Sequence, residues 1–189
     1  LQKEIQDFIP LEKEHVKVYV CGPTVYDKIH IGNARPLVVF DVLVRLLKSN
    51  FKKVTYVRNI TDVDDKINNQ SQETGIPINE LTKETIKHFH NDCLSLQNIL
   101  PDIEPKATDH INEMIEMIKV LINKDFAYES SGNVMFRVNK YKDYGLLSKR
   151  TLEEMIAGSR IEIADYKEDP ADFILWKPSA NDLQGWESP

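Results

Sequence analysis

The sequence predicts an α/β core built on a parallel sheet, followed by a mostly helical α+β segment. Three observations carry that expectation. Val16 to Cys21 (VKVYVC) is rich in β-forming residues and runs straight into Gly22-Pro23, the pattern of a buried strand closed by a turn. From about Ala34 the period changes. Pro36 suits a first helical turn, Leu37, Phe40, Val44 and Leu47 recur at helical spacing, and Ser49-Asn50 ends a helix of roughly 14 residues. Lys53 to Ile60 (KVTYVRNI) is strand-like again. Residues 16–60 therefore read as strand, helix, strand, a βαβ unit with parallel strands and a right-handed crossover, and the core is Rossmann-like.

Beyond Thr61 helices dominate. The run TDVDDKINNQSQET stops at Gly75, well placed as a C-cap, and Pro77 restarts the chain. A second helix from about Asn79 carries Ile86, Phe89, Cys93 and Leu96 as one apolar stripe. Pro101 and Pro105 break it and mark the boundary between core and insert. A third helix from near Thr108 puts Ile111, Met114, Ile115, Ile118 and Leu121 on one face. Tyr128 to Val134 reads as a hairpin turn, because Val134, Phe136 and Val138 alternate past a Ser/Gly/Asn cluster. Thr151-Leu152-Glu153-Glu154 fits a capping box whose short helix Gly158 would close, and Asp172 to Lys177 (DFILWK) is a last strand.

The 189 residues suffice for one large domain or a domain plus an insert. With 41% hydrophobic and 29% charged residues the chain can bury a core, which excludes intrinsic disorder. Its net charge of −6 means that any contact with nucleic acid must use local basic patches or another part of the protein. The two cysteines, Cys21 and Cys93, come without a secretory leader, so a reducing cytoplasm is expected rather than a disulfide framework. No apolar run approaches the roughly 18 residues of a membrane span, so no membrane partner is expected. The beginning at Leu1 and the end shortly after Trp186 suggest a fragment.

Open parallel sheets bind ligands beyond the carboxyl ends of their strands, which directs attention to the residues after Cys21 and after Asn59. The loop CGPTVYDKIHIGN feeds into a helix N-terminus, where free N–H groups and partial positive charge favour phosphate. Gly32 lets a bulky ligand approach the backbone, and His30 and Asn33 are donors able to track charge on phosphate oxygens. A nucleotide site follows from this arrangement.

The same loop resembles the first signature of class I aminoacyl-tRNA synthetases, and in particular of the cysteinyl-tRNA synthetase family, where a cysteine closes the strand before Gly-Pro-Thr-Val-Tyr-Asp. His-Ile-Gly-Asn stands where the class signature usually ends in a second His. The likeness continues through Tyr56–Lys66 (YVRNITDVDDK), and more loosely through Glu104–Thr108 (EPKAT) and DFILWK. The resemblance implies a catalytic domain that activates L-cysteine with ATP and Mg²⁺ to cysteinyl-adenylate and transfers it to tRNA(Cys), in the cytoplasm and as a monomer. Residues 1–103 would be the first half of its Rossmann-like fold and residues 104–189 a connective insertion. His30 and Asn33 would be catalytic at the ATP phosphates, with Pro23, Thr24 and Gly32 completing the ATP site. Cys21, Gly22 and Thr61 would meet the amino acid.

By the same resemblance Cys21 would be one ligand of a Zn²⁺ ion that binds the substrate thiolate. Metal coordination can separate a thiol from a hydroxyl by more than the roughly 1–3 kcal/mol that an apolar pocket gains per methylene, so editing becomes unnecessary. The other zinc ligands, the second ATP loop and the second sheet half would lie past Pro189, and this piece alone would not aminoacylate. The competing readings are a mycothiol-type cysteine ligase on the same adenylating core, a nucleotidyltransferase, which gives no reason for Cys21, and a non-catalytic synthetase-like module.

Simpler readings stand beside these. Taken alone, Cys21 is a small buried hydrophobe, His30 a satisfied loop histidine, and Asn33 and Thr61 are N-caps. Asp62, Asp64 and Asp65 could gather Mg²⁺, but on a helix they diverge, and acidic residues in a first turn already complement the helix dipole. His88 and His90 point to opposite sides of their helix, which argues against a shared metal. Cys93 reads as core. Lys140 to Arg150 (KYKDYGLLSKR) offers Lys140, Lys142, Lys149, Arg150 and the rings of Tyr141 and Tyr144 to an RNA end, against the commoner reading of solvated surface.

Overall fold

The computed structural model describes residues 5–149, 151–154, 165–179, 183 and 185–187. These fall largely in two compact units, Asp7–His110 and Ile111–Pro189. In the first, β1 (His15–Val20) and β2 (Lys53–Arg58) pair in parallel, from His15 opposite Lys53 to Val20 opposite Arg58. The crossover between them is α1 (Ile31–Asn50). Its residues Leu37, Val44 and Leu47 are buried at the expected spacing, and Val44 packs with Val20 and Tyr56 of the strands. Asp41 is buried in the same stripe and satisfied there, accepting from the Ile99 N–H at 2.7 Å and from Arg45 Nε at 2.6 Å.

The helix starts three residues before the periodicity does, because His30 rather than Asn33 is its N-cap. Pro36 consequently lies past the first turn, and without an N–H it cannot serve the Gly32 carbonyl.

A third parallel segment runs beside β2, where the sequence signals only a break. Arg58 N–H donates to the Ile103 carbonyl at 3.1 Å, Ile60 N–H to the Pro105 carbonyl at 2.8 Å, and Ala107 N–H back to the Ile60 carbonyl at 3.0 Å. Bridges join Val57 to Ile103 and Ile60 to Lys106. Proline is tolerated here because it is asked to accept and not to donate.

The following helix, α2 (Asp65–Thr74), begins later than Thr61. Asp64 is its N-cap, taking the Lys66 N–H at 2.9 Å, and Gly75 closes it at φ 69° as expected. In α3 (Ile78–Ser95) Leu81, Thr85, Phe89 and Cys93 are buried; Leu96, placed on that stripe by the sequence, lies at the helix end and is 43% exposed. Phe89 and Cys93 join Val25, Leu37, Ile60, Ile67 and Leu81 in the main core. Burial there pushes the Cys93 thiol above its ordinary pKa.

Arg58, though charged, is also buried. Its Nη2 meets Glu104 Oε1 at 3.0 Å, its guanidinium lies 4.7 Å from the Phe89 ring centre, and the other Glu104 oxygen takes His90 Nε2 at 2.6 Å. Glu104 thus gives His90 a partner of its own.

In the second unit α4 (Ile111–Asn123) is followed by a hairpin of β3 (Ala127–Ser130) and β4 (Asn133–Phe136), with β5 (Phe173–Trp176) antiparallel on the far side of β4. Ser131 and Gly132 turn the hairpin with φ of 50° and 77°, the all-positive pattern of a type I′ turn. Ile118, Ala127 and Val134 form the core with Leu121, Leu175 and Trp176. Met114, expected on the buried face of α4, is 39% exposed, and Val138 is buried in a short 3₁₀ turn rather than on a strand. Thr151 and Glu154 make both bonds of the predicted capping box, whereas Gly158 lies outside the described residues. Among the described residues no helix is long and apolar enough to cross a membrane.

Asp172 organises this unit. Almost fully buried, it accepts from Tyr128 Oη at 2.8 Å, Val138 N–H at 2.9 Å and Asp169 N–H at 3.2 Å, while Tyr128 Oη itself accepts from Glu168 N–H at 2.7 Å. Burial, reinforced by Asp172, pushes the Tyr128 phenol from its ordinary 10 up to about 12. The folded state therefore holds this proton more tightly than the unfolded chain. The corresponding stability is fully present below pH 10 and is lost as pH rises toward 12. Burial also raises the phenol pKa of Tyr56 in the first unit, so an alkaline titration followed by tyrosinate absorbance should show two phenols, Tyr56 and Tyr128, ionising late, and Tyr128→Phe should remove one of them.

Candidate active site

Cys21 is the first residue past β1, and its side chain is exposed, with a single weak contact of 3.6 Å from Sγ to the Gly22 carbonyl. It is not the buried hydrophobe that an isolated cysteine in a strand would suggest. The chain does not fan out beyond the strands. Thr61 N–H donates to the Pro23 carbonyl at 3.0 Å and Val25 N–H to the Thr61 carbonyl at 3.1 Å, and Thr24 bridges Thr61 in parallel. The two loops after β1 and β2 are thereby stitched side by side, with Val25 buried beneath them in the core.

Asn59 stands between them. Its Oδ1 accepts the Gly22 N–H at 2.9 Å and its Nδ2 donates to Thr61 Oγ1 at 3.3 Å. Gly22 packs so closely on this residue that a Cβ there would sit 1.6 Å from the Asn59 carbonyl oxygen. Sequence reasoning did not select Asn59; the available signal was an Asn, a poor strand former, directly after the strand-like run KVTYVR.

The other group of expected residues gathers at the start of α1. His30 has extended backbone (φ −106°, ψ 174°) and its Nδ1 accepts the Gly32 N–H at 3.0 Å, while Asn33 Oδ1 accepts the His30 N–H at 3.1 Å. This is a capping box spelled with His and Asn. Its chemistry fixes what each side chain has left to offer. Because Nδ1 is an acceptor, the neutral imidazole carries its proton on Nε2, and because Oδ1 is engaged, Asn33 presents its Nδ2 donor. Both side chains are exposed and both present N–H at a helix N-terminus, the arrangement that receives phosphate oxygens. Cys21, Gly22, Pro23, Thr24 and Thr61 thus form one bonded group around Asn59, and His30, Gly32 and Asn33 a second.

Across residues 7–189 the sequence matches the family profile described as tRNA synthetases class I (C) catalytic domain. The chain belongs to this family. Among curated relatives it is 59% identical to the "Cysteine--tRNA ligase" of Paramagnetospirillum magneticum over 96% of this chain and 40% of that protein. It is 57% identical to the protein of the same name from Rhodospirillum rubrum over the same shares, and 53% identical to that of Pelagibacter ubique over 100% and 42%. The chain spans about 40% of the length of the relatives it matches.

In this synthetase domain the three clustered aspartates have separate tasks. Asp62 accepts from Thr108 N–H at 3.0 Å and Thr108 Oγ1 at 2.6 Å, Asp64 caps α2, and Asp65 lies in its first turn. Among the described residues no group of three or more His, Cys, Asp or Glu comes together to hold a metal ion. Cys21 offers one exposed thiol, so a tetrahedral zinc would need three further donors. The basic segment is partly committed: Lys140 pairs with Asp125, Tyr141 meets Phe126 edge-on, and Tyr144 lies against Phe136 and Phe173. Arg150 lies outside the described residues.

Proposed function

We propose that this chain is part of the catalytic domain of a cysteine–tRNA ligase, which joins L-cysteine to ATP as cysteinyl-adenylate and then passes it to tRNA(Cys) in the cytoplasm. Residues 1–103 would supply the first half of the Rossmann-like catalytic fold and residues 104–189 the connective insertion. The observation that carries the reading is the pairing of an exposed Cys21, whose neighbour Gly22 is tied through Asn59 to Thr61, with a His30-Asn33 cap on the crossover helix of the same parallel strands.

In the first step a carboxylate oxygen of the amino acid attacks the α-phosphorus of ATP and pyrophosphate leaves. No protein nucleophile is needed, so positioning and charge stabilisation provide the rate. His30 Nε2–H and Asn33 Nδ2–H donate to phosphate oxygens that gain charge as the bond to pyrophosphate breaks, and Gly32 keeps the backbone approachable. Gly22 and Thr61 would face the amino acid. Cys21 would contribute one ligand to Zn²⁺, with the others from elsewhere in the longer protein. Such a metal, when bound, selects a thiolate over a hydroxyl.

The test is cysteine-dependent ATP–pyrophosphate exchange by the full-length protein, with serine as control and a zinc chelator in parallel. Exchange that requires cysteine and is lost on chelation is expected; none with cysteine overturns the reading. His30→Ala should lower exchange by about 10²–10³-fold, the typical effect of removing one transition-state donor. His30→Asn, which can still cap α1, should restore helix stability but not the rate. Wild-type exchange in either variant would refute the catalytic role.

A further inference from the structure

We propose that Asn59 is a positioning residue for amino-acid recognition, which sets the polarity of the Thr61 hydroxyl so that its proton is directed at the substrate. This deepens the functional reading above and rests on it. Two hydrogen bonds converge on the Asn59 side chain. The Gly22 N–H can only donate, so the amide atom that meets it at 2.9 Å must be the oxygen, which fixes the amide orientation without ambiguity. The opposite end is then NH₂, which can only donate, and it lies 3.3 Å from Thr61 Oγ1. Thr61 is thereby made an acceptor toward Asn59, and its hydroxyl proton is left for another acceptor. On this proposal that acceptor is an oxygen or sulfur of the amino acid, bound beside the two stitched loops.

The side chain of Asn59 is not what joins these loops. The backbone bonds from Thr61 to Pro23 and from Val25 to Thr61 do that, and the Asn59 carbonyl, against which Gly22 packs, is present whatever the side chain. Its side chain instead links the residue next to Cys21 with Thr61 and gives the pair one fixed donor pattern. Asn59→Asp isolates that function. One carboxylate oxygen still takes the Gly22 N–H, while the other becomes an acceptor facing Thr61 and draws the hydroxyl proton away from the substrate.

The experiment is steady-state ATP–pyrophosphate exchange by the full-length protein carrying Asn59→Asp, Thr61→Val or both, with L-cysteine and ATP varied separately and thermal melting measured for each. Asn59→Asp should raise the cysteine KM roughly tenfold or more, with the ATP KM and the melting temperature unchanged. Thr61→Val should do likewise, and the double variant should be no worse than Thr61→Val alone, because Asn59 acts through that hydroxyl. An unchanged cysteine KM in Asn59→Asp overturns the proposal. So does a fall in melting temperature that carries both Michaelis constants with it, or losses that multiply in the double variant, as a simple effect of the added charge would. Absence of cysteine-dependent exchange by the unsubstituted protein overturns the functional reading itself, and is distinguished by that control.

Discussion

Gly22→Ala should lower cysteine-dependent exchange by about two orders of magnitude, since a displacement of about 1 Å at a reaction centre can cost roughly 10²-fold. The added methyl would lie 1.6 Å from the Asn59 carbonyl oxygen and 2.7 Å from its carbon, with Arg58 Cγ at 3.3 Å. The two closest atoms are backbone, so no rotamer change relieves the overlap. The ends of β1 and β2 must separate, breaking the bond from Gly22 N–H to Asn59 and moving Cys21 with it. Overpacking of this kind typically costs about 1–3 kcal/mol of stability as well. Gly75→Ala is the contrasting control. That glycine has φ 69° but no atom near its missing Cβ, so alanine should cost about 1 kcal/mol and leave exchange intact. Exchange at the unsubstituted rate in Gly22→Ala would sink the argument.

Asp172→Ala should destabilise the second unit by about 3–5 kcal/mol, because it strips one buried carboxylate from three donors at once. Tyr128 Oη, Val138 N–H and Asp169 N–H would lose their acceptor with little water to replace it. Asp172→Asn keeps the shape but turns one oxygen into a donor facing other donors, and should lose an intermediate amount. Denaturant unfolding, together with hydrogen exchange at the Val138 amide, measures both. An unchanged unfolding midpoint and a still-protected Val138 amide in Asp172→Ala would show that the carboxylate is dispensable.

The elements that are legible in the sequence are those whose signal is local. The strand pattern at Val16–Val20, the stripe Leu37-Val44-Leu47 and the αL cap at Gly75 each depend on a few neighbouring residues and lie within a residue or so of their expected places, while the hairpin turn is found but is tighter than expected, with Tyr128–Ser130 and Asn133-Val134 already on its strands. What escaped reading is long-range or spelled in unusual residues. The true start of α1 was hidden because its box uses His30 and Asn33 where Ser or Thr and Glu are the common signals. The pairing of residues 103–106 with β2 was hidden by flanking prolines, which mark a break locally while their carbonyls accept bonds from far along the chain. Arg58 looks like surface in any local window and becomes core only through Glu104 and Phe89. At the site, Cys21, His30 and Asn33 announced themselves by motif, whereas Asn59 mattered only once the two loops were brought together.

The parallel segment at residues 103–106 bears on how the protein is made. An isolated β1–α1–β2 unit has the outer edge of β2 open, and Arg58 would be left without its carboxylate partner until Glu104 has been synthesised. On the ribosome the nascent chain must therefore wait, with a buried-to-be cation and a bare strand edge exposed, until the stretch around Pro105 has cleared the exit tunnel. A translational pause placed after that stretch has left the tunnel would favour completion of the first unit.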